Sequence, residues 1–130
     1  MEQERLAHLN EISRKVIGAA IAVHKELGPG LLESIYELCL VQELQNQGVN
    51  VLHQVEVPLY YKGLLTDKKF RIDVLVENEV IVELKAVETV LPIHEAQLLT
   101  YMKLSAKNLG LLINFNVSEL RKGVRRRILG

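Results

Sequence analysis

Asp73 and the triplet Glu83-Leu84-Lys85 place ionisable groups inside two segments that otherwise have the composition of buried β-strands. Burying a carboxylate or an ammonium group costs several kcal/mol unless the group is paired or bound to a metal. The triplet alone carries little information, because 14 Glu and 9 Lys in 130 residues produce about one Glu-x-Lys by chance. Asp73 is more informative, because the chain has only two Asp and strands disfavour this residue.

Strand geometry predicts that these groups share a site. Side chains alternate along a strand, so Asp73 shares one face with Arg71 and Leu75. The residues expected on the opposite face are Phe70, Ile72, Val74 and Val76. Glu83 and Lys85 share a face of the next strand, and the short connection at 77–79 makes the two strands antiparallel neighbours.

Two adjacent carboxylates repel each other unless a cation lies between them. Asp73 and Glu83 offer the hard oxygen ligands that suit Mg²⁺ or Mn²⁺. Lys85 would then orient a water molecule or stabilise charge that develops on a phosphate. The alternative is an ordinary cross-strand ion pair on a solvated face.

Two further polar groupings could belong to the same site. Gln97 and Tyr101 are spaced i, i+4 on a predicted helix, with His94 a turn earlier, and could hold a phosphate or its strand. Glu33 and Tyr36 lie in the first two turns of another predicted helix. Glu33 is either a further carboxylate for the metal or a group that compensates the helix dipole. For Gln97 and Tyr101 the alternative is a solvated helix face.

Periodicity and turn residues predict the elements that must position these groups. Pro58 interrupts the first strand and requires a sheet edge or a bulge. The predicted elements are helices over about 9–27, between 30 and 48 and from 92 to about 108, and strands over 51–61, 69–77, 80–87 and 111–115. The order α-α-β-β-β-α-β predicts an α/β fold with helices flanking a mixed β-sheet.

Length and composition favour one domain over residues 1–130, with a flexible segment at 1–8. Net charge is zero, so any nucleic-acid surface must be local. Cys39 is the only cysteine, which excludes an intrachain disulfide and a thiolate zinc cluster. The chain shows neither a signal peptide nor a membrane span, so we expect a cytoplasmic protein without a membrane partner.

The only basic cluster lies in the C-terminal segment 118–130, at Arg121, Lys122, Arg125, Arg126 and Arg127. The cluster could contact phosphates, with an affinity that falls steeply as salt rises. A solvated tail or an edge strand protected by its charges is an equal alternative.

Taken together, these residues resemble the PD-(D/E)XK nuclease signature, with Ile72 in the place of the proline. The segment 97–101 is similar to the Gln-x-x-x-Tyr helix motif of the RecB-like and lambda-exonuclease-like branches. The segment 30–36 matches the motif that names the small GxxExxY proteins, a family placed in that superfamily. The resemblance covers about residues 9–128, with the three motifs in the expected order.

The resemblance implies a restriction-endonuclease-like core. The leading hypothesis is a Mg²⁺- or Mn²⁺-dependent nuclease that hydrolyses DNA with low intrinsic sequence specificity, and RNA is left open as a substrate. The resemblance implies metal ligands at Asp73, Glu83, Glu33 and the Leu84 carbonyl, and Lys85 as the catalytic lysine. The expected substrate-binding residues are Tyr36, His94, Gln97, Tyr101, Arg125, Arg126 and Arg127. The rival hypothesis is a non-catalytic interaction or nucleic-acid-binding module that keeps the nuclease fold. A homodimer or an unidentified protein partner is possible under either hypothesis.

Overall fold

The computed structural model describes residues 1–130 and contains three helices and a five-stranded mixed sheet. The elements are α1 (Gln3–Leu27), α2 (Glu33–Asn46), β1 (Val51–Tyr61), β2 (Leu64–Val76), β3 (Val80–Lys85), α3 (Pro92–Leu104), β4 (Leu109–Asn114), a 3₁₀ turn (Leu120–Gly123) and β5 (Val124–Ile128). The strands lie in the order β1-β2-β3-β4-β5. Only β3 and β4 are parallel, because α3 crosses between them. The α/β fold expected from the sequence is confirmed.

Helices cover both faces of the sheet. The main core packs α1 and α2 against one face and includes Val74, Val82 and Leu84. A smaller core packs α3 against the other face through Leu98 and Met102. Gly110 of β4 allows this close approach, because a Cβ there would lie 2.6 Å from the Met102 sulfur. None of the three helices combines the length and the apolar character needed to cross a membrane.

The first helix is longer than the sequence predicts. It begins at Gln3 rather than near residue 9, so the segment expected to be flexible is helical. Arg5 explains the difference, because its guanidinium donates hydrogen bonds to Glu79 at 2.6 Å and to Asn108 at 3.2 Å. Leu9 adds a fully buried side chain one turn further on. Contacts distant in the sequence therefore order a segment that lies outside the apolar periodicity from which the helix was predicted.

The C-terminal basic segment forms a strand that the predicted order lacks. Val124–Ile128 pairs antiparallel with β4 as β5, at the edge of the sheet. Of the two alternatives to phosphate contact, the structure therefore supports the charged edge strand. Pro58 also lies on an edge strand, β1, and the register with β2 shifts between Pro58 and Tyr60, as expected for a bulge.

Candidate active site

Strand β2 separates from β3 at the residues that carry the acidic groups. The two strands pair only from Val74–Val82 to Val76–Val80. Beyond that point side chains take the place of the backbone hydrogen bonds between β2 and β3. The backbone N–H of Leu84 donates to Asp73 Oδ2 at 2.9 Å. The backbone N–H of Asp73 in turn donates to Glu83 Oε1 at 3.3 Å. The prediction that Asp73 and Glu83 lie close together is confirmed.

A kink in β1 accompanies this separation. Gln54, in the stretch of β1 opposite Asp73, has a φ of 52°, in the left-handed region that non-glycine residues rarely adopt. The predicted alternation along β2 fails at this point. Ile72 packs with Leu75 in the core under α3, and Phe70 packs against the same cluster, whereas Val74 belongs to the opposite face. The part of the β1–β2 hairpin that carries Phe70 and Ile72 is thereby turned toward α3.

An open cavity of about 650 Å³ lies in the gap that this bend creates. Its walls come from both strands of the hairpin, the ends of β2 and β3, and helices α2 and α3. The lining residues are Glu33, Gln54, Glu56, Lys69, Phe70, Arg71, Asp73, Glu83, Lys85, Gln97 and Tyr101. Six of the sequence-predicted site residues therefore meet in one place.

The electrostatics of the carboxylates are unusual. Glu83 is only 5% exposed, and burial, followed by the charge of Asp73, raises its pKa to about 9. Burial also raises the pKa of Glu33, with Asp73 adding to the shift and Lys85 opposing it. At neutral pH Glu83 is therefore protonated unless a cation compensates both acids.

The donor set fits a hard divalent cation in its chemistry. Asp73 and Glu83 supply carboxylate oxygens from adjacent strands. The carbonyl of Leu84 opens toward the same gap, because within a strand it points to the side of its own N–H, which faces Asp73. The backbone polar groups of the next residue, Lys85, point to the opposite side of the strand. The Lys85 carbonyl accepts a hydrogen bond from the Phe115 N–H on the β4 side. However, no group of three or more His, Cys, Asp or Glu side chains lies in an arrangement that could hold a metal ion.

Helix α3 contributes one polar pair to the cavity. The amide nitrogen of Gln97 donates to the Tyr101 hydroxyl at 3.1 Å. The Tyr101 ring stacks on Phe70, with 4.8 Å between the ring centroids. Burial, followed by the charges of Glu83 and Asp73, raises the pKa of Tyr101. The hydroxyl therefore stays protonated and can donate a hydrogen bond inside the cavity.

Tyr36 lies outside the cavity lining, so its position does not support the substrate-binding role expected from the sequence. Its side chain is fully buried and stacks on Phe115, with 4.4 Å between the ring centroids. The hydroxyl donates to the Gly28 carbonyl at 2.6 Å and accepts from Leu31 N–H at 3.1 Å. Tyr36 thus holds the loop that leads into α2 and places Glu33 at the cavity.

His94 and the arginines of β5 also lie outside the cavity lining. His94 caps α3, because its Nδ1 accepts from Leu91 N–H at 3.0 Å. Arg126 contacts Asn10 of α1, and Arg127 pairs with Glu95 of α3. Arg125 lines a separate, smaller cavity. The direct substrate contacts expected of these four residues are not supported by their positions.

Sequence reasoning missed several residues around the carboxylates. Gln54 lines the cavity and donates to Glu37 Oε1 at 2.7 Å. Burial raises the pKa of Glu37, and the charge of Asp73 adds to the shift. The i, i+4 spacing of Glu33 and Glu37 was a usable signal for a second acid on the same helix face. No local signal marked Gln54 or Lys69, because only the bent hairpin brings them to the site.

A mixed five-stranded sheet between helices, with two acids and a lysine where two strands part, is the architecture of a restriction-endonuclease-like domain. The sequence model of the PD-(D/E)XK nuclease superfamily matches residues 10–127. The chain belongs to this superfamily.

Among solved structures, the chain is similar to the crystal structure of SSO0001, with a TM-score of 0.56 and 23% sequence identity. The match covers 74% of this chain and 50% of that chain, so this chain spans about half the length of that protein. The similarity supports the fold alone. No protein of curated function matches the chain.

Proposed function

We propose that residues 1–130 act as one divalent-metal-dependent nuclease domain that hydrolyses phosphodiester bonds in DNA, with RNA as a further possible substrate. The observation that carries the proposal is the direct contact between Asp73, Glu83 and Leu84 in a cavity that Lys85 also lines. Superfamily membership supports the reaction class. The Gly30–Tyr36 segment further supports placement among the GxxExxY proteins, and the Gln97–Tyr101 pair supports the RecB-like branch.

Asp73, Glu83 and the Leu84 carbonyl are the groups that would hold Mg²⁺ or Mn²⁺, with Glu33 approaching from α2 as an additional ligand. When bound, the cation supplies Lewis-acid polarisation of the phosphate and compensates the two buried acids. Glu33 lies at the start of its helix and is half-buried, so a change of side-chain rotamer could complete the ligand set.

Lys85 is the group that would act on the phosphate itself. In the hydrolysis, water adds to the phosphorus and the bond to the leaving oxygen breaks. The ammonium of Lys85 stabilises negative charge on the phosphate oxygens as it increases. Gln97 and Tyr101 donate hydrogen bonds that orient the backbone of the substrate strand, and Phe70 keeps the tyrosine ring in place.

Cleavage assays test this function. Purified protein is incubated with linear, circular and single-stranded DNA and with RNA, in Mg²⁺, Mn²⁺ or EDTA. The matched preparation carries Asp73→Ala together with Lys85→Ala. We expect metal-dependent cleavage by the wild type only, and cleavage that survives both substitutions would place the activity elsewhere.

A catalytically inactive module is the second candidate, and one observation favours it. No three potential ligand side chains are grouped around a common point. Calorimetry separates the two candidates: a titration with Mn²⁺ that releases heat in the wild type and none in Asp73→Ala supports the nuclease. An absence of metal binding, together with no cleavage of any substrate, supports the module.

A further inference from the structure

The hairpin of β1 and β2 extends well beyond the sheet. Strand β2 pairs with β1 along most of its length, but with β3 only over Val74–Val76. Residues 55–72 therefore form a two-stranded ribbon, and β3 does not pair with this part of β2. Seven residues of β1 at about 3.3 Å each give this ribbon a length of roughly 20 Å. Its base is anchored, because Phe70 stacks on Tyr101 of α3.

The tip of this ribbon carries apolar side chains that nothing in the chain covers. Tyr60 pairs with Leu65, and Tyr61 pairs with Leu64, so both faces of the tip are apolar. Their exposed fractions are 57% for Tyr60, 65% for Tyr61, 75% for Leu64 and 62% for Leu65. Two-stranded hairpins have little stability of their own. Exposed apolar groups concentrated at such a tip indicate a binding surface.

Cationic side chains accompany the apolar tip and lead back to the cavity. The ribbon carries Lys62, Lys68, Lys69 and Arg71 against two acids, Glu56 and Asp67, in a chain whose net charge is zero. Lys62 lies at the turn, with its ammonium 5.5 Å from the centre of the Tyr61 ring. Lys69 and Arg71 line the cavity that holds Asp73. The ribbon is therefore a continuous path from an apolar, cationic tip to the carboxylates.

We propose that the ribbon binds duplex nucleic acid, with its tip in a groove and its cationic side chains on the phosphates that flank the cavity. The inference rests on the proposed nuclease function and specifies a duplex as its substrate. A two-stranded ribbon fits the major groove of B-DNA, which is about 12 Å wide. Apolar side chains at the tip contact base edges or wedge between base pairs, while lysines contact the phosphates.

A second copy of the chain is the rival occupant of this surface. Interfaces between protein copies are depleted in charged residues at their centre. Here Lys62 lies at the tip itself, between Tyr61 and Leu64 in the chain. Lys68 lies in the bulge of β2 opposite Leu59, where its backbone N–H donates to the Thr66 hydroxyl. The ribbon also ends at the acidic cavity. Under the proposed function this cavity acts on a phosphate backbone, whereas it has no role in binding a second copy of the chain. Charge and position both favour the nucleic acid.

Binding is measured without cleavage, in EDTA, by fluorescence anisotropy of a labelled 20-base-pair duplex and of the single strand. The variants are Tyr61→Ser with Leu64→Ser, and Lys62→Ala with Lys68→Ala. The matched control is Leu38→Ser with Lys15→Ala, on exposed positions of α2 and α1. We expect the apolar variant to bind the duplex about tenfold more weakly than the control. The lysine variant should lower the slope of log K against log salt by about 2.

Duplex affinities equal to the control in both variants overturn the proposal, as does a wild type that binds no duplex. Sedimentation provides a second decisive result: if the apolar variant converts a wild-type dimer to monomers with unchanged duplex affinity, the ribbon binds a second copy. Hydrolysis of bis(p-nitrophenyl) phosphate in Mn²⁺ tests the proposed function separately. If the ribbon variants lose duplex binding and the wild type hydrolyses no bis(p-nitrophenyl) phosphate, the nuclease function is refuted and duplex binding by the ribbon is supported. If the wild type hydrolyses this compound and the ribbon variants bind the duplex as the control does, the nuclease function is supported and the ribbon proposal is refuted.

Discussion

The carboxylate of Asp73 accepts a hydrogen bond from the backbone N–H of Leu84 at 2.9 Å, across the gap where β2 leaves β3. A side chain thus takes the place of a ladder bond, so the orientation of the acid is set by the backbone of the neighbouring strand. The Leu84 carbonyl points to the same side as its N–H and so faces the same gap. A pre-oriented acid beside this carbonyl is the part of the site that the fold itself provides.

Substitution of Asp73 should remove metal binding and cleavage together. We expect Asp73→Asn to keep the hydrogen bond to Leu84, and hence the fold, while losing the charge that a cation needs. Metal affinity and cleavage should both fall about 100-fold or more. Isothermal titration with Mn²⁺ and a plasmid assay measure the two effects. Glu26→Gln, at an exposed acid of α1 that does not line the cavity, is the control and should change neither strongly.

Lys85 should affect turnover without affecting the cation. Replacing Lys85 with Ala removes a charge that stabilises the transition state, so kcat should fall about 100- to 1000-fold. Metal affinity should be retained or slightly increased, because the ammonium repels a cation in the same cavity. Lys15→Ala serves as the surface control. Parallel loss of metal binding in the Lys85 variant would contradict a purely catalytic role.

The metal-free protein should lose stability as pH rises. The pKa of Glu83 is about 9 in the folded state against 4.5 in the unfolded chain, so the folded state binds more protons between these values. Stability therefore falls across that window. In EDTA we expect Tm to drop by roughly 15–20 °C between pH 5 and 9. Thermal denaturation followed by circular dichroism measures this change.

The source of this pH dependence can be isolated with one variant. Glu83→Gln cannot ionise, so its Tm should stay nearly constant over the same range in EDTA. Saturating Mn²⁺ should restore the wild-type Tm at pH 9, because a cation favours the ionised acid. A pH dependence that is equal in wild type and Glu83→Gln would assign the effect to another group.

Tyr36 should prove structural. Tyr36→Phe deletes a buried hydroxyl that links the Gly28 carbonyl and the Leu31 N–H, which should cost about 1–3 kcal/mol of folding free energy. Urea denaturation measures this loss. Cleavage assayed well below the lowered Tm should be close to wild type. A large loss of kcat with unchanged stability would instead restore the substrate-binding role expected from the sequence.

Much of the fold could be predicted from local patterns. Turn residues, helical spacing and runs of β-branched residues predicted three helices and four of the five strands, because these signals act within a few residues. For strand β5 the sequence left a solvated tail and a charged edge strand as open alternatives, because Arg125–Arg127 interrupts any apolar alternation. That strand forms through its pairing with β4, and Arg126 and Arg127 find partners on α1 and α3. Those partners are remote in the sequence.

The sequence by itself determined which residues could do chemistry, since an Asp and a Glu-x-Lys in apolar strands require compensation wherever they lie. Tertiary structure decided which of them meet. Glu33 reaches the cavity from 40 positions before Asp73, whereas Tyr36, only three residues after Glu33, is buried. The bend at Gln54 turned Phe70 and Ile72 to the other face. The chemical type of each side chain is given by the sequence at that position, but its burial and its charge state depend on neighbours that only the folded chain brings together.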